Sequence, residues 1–118
     1  MTDLNSIQNL RVLQRAHELA LLVYKTTMEF PKNEQFGLVS QMRRSAVSVP
    51  SNIAEGFRRR GRDKFVFYSY SLGSLEELKY QLLLSFDLEY MPKENYDKLF
   101  KLANETGKML NAWINFVR

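Results

Sequence analysis

The chain has no cysteine, one histidine (His17) and one tryptophan in 118 residues. Without thiols there are no disulfides and no thiolate metal sites, which suits a reducing, cytoplasmic setting. A single histidine with no second ligand does not build a metal centre, and nothing pairs His17 with a nucleophile as a catalytic triad requires. His17 is therefore expected to be a structural or surface residue. No apolar run reaches the roughly 18–20 residues that a membrane span needs, so no membrane partner is expected. The first residues are polar and lack an apolar signal core, which argues against secretion. Neither G-x-x-x-x-G-K-[ST] nor G-x-G-x-x-G is present to cradle a phosphate. Glu76 and Glu77 are adjacent and diverge by about 100° on a helix, and the Glu-x-x-His motif of di-iron proteins is missing. These absences remove the common enzyme constellations. The chain is read as non-enzymatic, with no catalytic residue, metal or cofactor; Glu76 or Glu77 is expected to pair with an arginine of the second helix.

Proline and glycine are also scarce, at three and five residues, and they punctuate four helical patterns. Over residues 10–29, Leu13, Ala16, Ala20, Val23 and Thr27 recur at three- and four-residue steps, which puts them on one helix face. Pro31 biases Phe30 away from helical geometry, and Asn33 is a plausible N-cap. Over 34–59, Val39, Met42, Ala46, Val49 and Ile53 form the next stripe. Pro50 lies inside it, where the helix either ends or accepts a kink, with Ser48, Ser51 or Asn52 available to satisfy the freed carbonyl. Gly61 can close this helix and Asp63 can cap the next. Residues 63–88 are apolar over much of the circumference, as expected of a central helix or one shared with another subunit. Pro92 suits the first turn of a fourth helix over 92–117, where Tyr96, Leu99, Ala103, Thr106, Leu110, Trp113 and Val117 share a face. Phe100, Gly107 and Ile114 form an adjoining row. No segment alternates as a strand. The fold class predicted for residues 1–118, read as a single domain, is all-α, an antiparallel up-down-up-down four-helix bundle.

The formal net charge is +4, and it is unevenly spread. Residues 36–64 hold seven basic side chains (Arg43, Arg44, Arg58, Arg59, Arg60, Arg62 and Lys64) against Glu55 and Asp63. The remainder of the chain is close to neutral. Such a segment points to an anionic partner or to a solvated loop. Phe65, Phe67, Tyr68 and Tyr70 follow closely; aromatics beside arginines can stack nucleobases, though at helical spacing they also serve core or interface.

The residues Phe30-Pro31, Gly37-Leu38, Gln41-Met42-Arg43-Arg44-Ser45-Ala46, Val47-Ser48-Val49-Pro50-Ser51-Asn52-Ile53-Ala54-Glu55-Gly56 and Gly73-Ser74-Leu75-Glu76-Glu77-Leu78 carry a resemblance. Together with Ala16-His17-Glu18-Leu19-Ala20, they resemble the four-helix-bundle family encoded within bacterial 23S rRNA intervening sequences. The resemblance spans about residues 10–117. It implies a bundle that assembles into a closed ring, a homopentamer. It also implies kinship with the accessory proteins of diversity-generating retroelements, which bind nucleic acid and a reverse transcriptase. No enzymatic activity is established for the family. The run Phe57-Arg58-Arg59-Arg60 is more basic than the usual end of this motif.

Two functions are therefore expected as alternatives. In the first, an oligomer contacts RNA or DNA phosphates through Arg43, Arg44, Arg58, Arg59, Arg60 and Arg62. In the second, the chain is a protein-interaction scaffold, such as an adaptor for a polymerase, with no direct nucleic-acid contact. The oligomer interface is expected at Phe67, Tyr70 and Leu84 of the third helix and Phe100 and Ile114 of the fourth, because outward apolar rows mark interfaces. Arg43 or Arg44 is expected to pair with Glu55, Glu76 or Glu77.

Overall fold

Apolar stripes at helical spacing give four helices in the computed structural model, which describes residues 10–118. They are α1 (Arg11–Thr27), α2 (Leu38–Arg58), α3 (Arg62–Asp87) and α4 (Lys93–Val117), with one 3₁₀ turn at Lys32–Glu34. The described residues contain no strand, and none of their helices is long and apolar enough to cross a membrane. Residues 1–9, which informed the reading of the N-terminus, lie outside the described part. α1 packs on α2 and α4, and α3 packs on the same two helices. The shared core contains Leu19, Val23, Met42, Val49, Ile53, Tyr68, Leu75, Leu78, Leu82, Leu99 and Leu110. The stripe Val39, Met42, Ala46, Val49 and Ile53 is buried along its whole length, as the three-four spacing predicts.

α2 runs through Pro50 without ending. Its tightest partner is α3, because small residues line both sides of the seam. Ser71 Oγ donates to the Val49 carbonyl at 2.8 Å, and Ser74 Oγ donates to Ser48 Oγ at 2.9 Å. The Asn52 amide donates to the Ser48 carbonyl and hydroxyl, at 2.8 and 3.0 Å. Asn52 thus serves the turn beside Pro50, but through the Ser48 carbonyl and not the Ala46 carbonyl that proline frees. Ser45 Oγ donates to Glu77 Oε1 at 3.0 Å, and Glu76 pairs with Lys79 at 3.2 Å. The expected arginine partner for these glutamates is therefore replaced by a serine and a lysine. The serine–asparagine spacing that carries the family resemblance is, in physical terms, the hydrogen-bonded seam of α2 and α3.

The helix ends differ from the sequence reading. Asn33 lies within the 3₁₀ turn, and Gly37 occupies the N-cap position of α2. Glu34 supplies the missing cap: its Oε1 accepts from the Leu38 amide at 3.2 Å. Its Oε2 accepts from the Tyr90 hydroxyl at 2.7 Å, tying the start of α2 to the α3–α4 connection. Asp63 sits inside the first turn of α3, and Gly61, at φ +62°, takes the cap position. α3 ends with Glu89 at φ +62°, its amide donating to the Phe86 carbonyl while the Tyr90 amide donates to the Ser85 carbonyl. This is the paired-bond termination that usually employs glycine.

Candidate nucleic-acid interface

The turn from α2 to α3 is short and strongly basic. After Arg58 the backbone extends at Arg59 and reverses at Gly61, whose positive φ a side chain would strain. The last carbonyls of α2 are short of helical donors and carry the negative end of its dipole, although Gly56 accepts from the Arg59 amide at 3.2 Å. Lys64 answers both needs. Its ammonium donates to the Gly56 and Phe57 carbonyls at 3.1 and 3.2 Å, and burial lowers its pKa from 10.5. Lys64 is thus engaged in closing the turn. Arg59 is also engaged, by a 2.7 Å ion pair to Glu55 and by its position 4.8 Å from the centroid of the Phe67 ring.

Arg58, Arg60 and Arg62 are exposed, and among the described residues they have no hydrogen bond or ion pair. The ends of two other helices pack beside this turn. Trp113 of α4 donates from Nε1 to the Tyr68 hydroxyl of α3 at 2.8 Å, and its ring stacks on Phe57 of α2 at 6.2 Å. Burial raises the Tyr68 pKa, and the Trp113 hydrogen bond opposes that rise. Arg118 lies 5.7 Å from the Phe65 ring of α3. Leu10 and Arg11, at the start of α1, line a groove with Trp113 and Phe116 of α4. The cluster therefore gains Arg11 and Arg118. Counting charge along the sequence missed both, because they lie some fifty residues from the turn; the Phe65–Arg118 contact and the groove that Arg11 shares with Trp113 bring them in.

The six arginines expected at the site do not form one patch. Arg43 and Arg44 lie about 20 Å up the helix from Arg58, at 1.5 Å per residue. Arg43 is half-buried and structural: it donates from Nε to Thr27 Oγ1 at 3.0 Å and from a terminal nitrogen to the Tyr24 carbonyl at 3.3 Å. Its guanidinium also lies 4.5 Å from the centroid of the Tyr24 ring. It clamps the end of α1 onto α2, so the expected glutamate partner is replaced by Thr27 and Tyr24. Arg44 is exposed on an open cleft with Phe36 and Val47.

The five apolar residues expected at an interface also divide. Tyr70 is 56% exposed. Phe67, Leu84 and Phe100 are half-buried within the chain. Ile114 is 8% exposed and belongs to the core, because its row also contains Gly107, which packs against Leu75. Ile114 is therefore corrected from surface to core. Val66, Tyr80 and Leu83 are the further exposed apolar residues of α3, and Leu21, Tyr24, Met28, Phe36 and Val47 form a second exposed set at α1 and α2. His17 is exposed. The described residues contain no cluster of three or more histidine, cysteine, aspartate or glutamate side chains that could hold a metal.

Residues 8–112 match the model of the family described as 23S rRNA-intervening sequence protein. A solved structure from Bacteroides thetaiotaomicron, described as a protein of unknown function from the S23 ribosomal protein family, has a similar fold. The TM-score is 0.77 at 26% identity, covering 87% of this chain and 97% of the other. None of the curated proteins matches the chain.

Proposed function

Because the chain belongs to the 23S rRNA-intervening sequence protein family, we propose that it is a non-enzymatic, oligomeric, cytoplasmic protein that binds RNA or DNA phosphates. The observation that carries this reading is the exposed trio Arg58, Arg60 and Arg62, flanked by Arg11 and Arg118. Unpaired guanidiniums can meet phosphates without first breaking an internal ion pair. An up-down-up-down bundle accounts for the grouping, since it brings the start of α1, the α2–α3 turn and the end of α4 to one end. Phosphate contacts of this kind position a nucleic acid without reading its sequence.

Each neutralised phosphate steepens the fall of affinity with salt, by about 0.9 in the log–log slope for duplex DNA. Binding of RNA and DNA is expected to weaken steeply with added salt. Replacing Arg58, Arg60 and Arg62 by Gln is expected to flatten that slope by up to about 3. Salt-insensitive binding, or an unchanged slope in the triple variant, sinks the reading.

A second reading rests on the exposed Val66, Tyr70, Tyr80 and Leu83 of α3. Such a row serves self-association, for which the family resemblance implies five subunits, or a scaffold for another protein such as a polymerase. Recovery of one protein partner that survives nuclease treatment favours the scaffold; loss of all partners with nuclease favours nucleic acid.

A further inference from the structure

We infer that the basic end accepts an unpaired nucleobase, stacked on Phe116 in the groove between the start of α1 and the end of α4. This rests on the phosphate-binding reading above and gives it a ligand class, single-stranded nucleic acid. The groove measures about 410 Å³ and is lined by Leu10, Arg11, Val12, Met109, Trp113 and Phe116. Phe116 is 80% exposed, so its ring offers a free face. It also has a firm support. The Phe116 ring lies 5.8 Å from Trp113 and is tilted by 31°; Trp113 is held by its stack on Phe57 and its bond to Tyr68. An aromatic row thus runs outward from α2 and ends at Phe116.

Charge selects the occupant. Arg11 lies in the groove itself, and the Trp113–Phe57 stack joins the groove to the turn that carries Arg58, Arg60 and Arg62. An apolar ring in a groove that also holds a guanidinium suits a ligand that couples a flat aromatic face to a phosphate, as each nucleotide does. A duplex keeps its bases stacked on one another and presents only phosphates to this surface. Single strands therefore gain a contact that duplexes cannot make.

The test uses Trp113, the sole tryptophan, as its reporter. The full chain is titrated with oligoadenylate, oligouridylate, their deoxy counterparts and a duplex of equal length. Single strands are expected to quench the indole emission, adenine more than uracil, with ribose and deoxyribose alike. The duplex is expected to bind without quenching. Phe116→Leu keeps apolar bulk but removes the π face, and it is expected to weaken single-strand binding roughly ten-fold. Phe116→Tyr is expected to retain the affinity, and both variants to leave duplex binding and the salt slope unchanged. Salt-dependent single-strand binding with no quench and no loss in Phe116→Leu overturns the base platform and leaves the phosphate reading standing. Failure of every polyanion to bind overturns both. A change of molecular mass in Phe116→Leu without a change of affinity assigns the groove to protein association and overturns the inference.

Discussion

Gly56 and Gly73 lie in neighbouring helices and face opposite circumstances. A Cβ on Gly56 would meet the buried Tyr68 ring at 2.6 and 2.7 Å and the Lys64 carbonyl at 3.1 Å. Gly56→Ala is expected to cost about 1–3 kcal/mol, the usual range for overpacking. Gly73 is exposed, with nothing within 4 Å of the added carbon. Gly73→Ala is expected to stabilise the isolated chain by about 0.5–1 kcal/mol through helix propensity alone. Denaturant melts of the two variants should move in opposite directions; a shared direction contradicts the packing described. Tyr90 gives a pH prediction at the same scale. Its hydrogen bond to Glu34 holds its pKa above 10.0, and burial raises that of Tyr68. Both phenols keep protons in the folded chain that the unfolded chain releases. Their stabilisation is full below about pH 10 and is lost as pH rises through the raised values. Lys64, lowered by burial, acts oppositely in the range just below 10.5, where stability rises with pH. Tyr90→Phe isolates one contribution: between about pH 9 and about pH 11 its Tm is expected to fall less than that of the parent chain. An equal fall in both proteins removes Tyr90 from the account.

At the scale of elements, the end of α3 holds the one left-handed non-glycine residue among the described residues. Glu89 adopts the left-handed conformation, which disfavours residues with a Cβ by roughly 1–2 kcal/mol. Glu89→Gly is expected to raise stability by about 1 kcal/mol in a denaturant melt, because the two amide–carbonyl bonds of the cap remain. A loss of stability would show that the Glu89 side chain has a role absent from this cap. The α2 helix was legible because its stripe buries every residue its period selects, while Leu13 of α1 and Tyr96, Trp113 and Val117 of α4 are only half-buried. The start of α2 was not legible, since Glu34 caps from outside the helix and Gly37 offers no side chain to signal a cap. Arginine-rich composition singled out the candidate segment, but it could not separate free from engaged cations. Arg43 meets Thr27 and Tyr24 of another helix, and Arg11 and Arg118 join the turn only through tertiary packing. Ile114 was misplaced for a related reason: two adjoining apolar rows on α4 look alike until Gly107 brings one of them against Leu75.

The whole chain, 13.9 kDa in mass, leaves Tyr70, Tyr80 and Phe36 56%, 63% and 93% exposed. Light scattering at micromolar concentration is expected to give a multiple of that mass, and the double variant Tyr70→Glu/Tyr80→Glu a lower one. A monomeric parent chain ends this expectation, while an unchanged mass in the variant moves the contact to the α1–α2 surface around Tyr24 and Phe36. The body measures 44 × 24 × 23 Å, and its exposed, unpaired arginines cluster where α2 turns into α3. Positive charge gathered at one end of an elongated body favours approach to a polyanion with that end foremost. On the phosphate-binding proposal, a subunit meets the strand with its cationic tip rather than its flank. On that proposal the footprint of each subunit, alone or within an assembly, is the narrow cross-section of 24 × 23 Å rather than the 44 Å length.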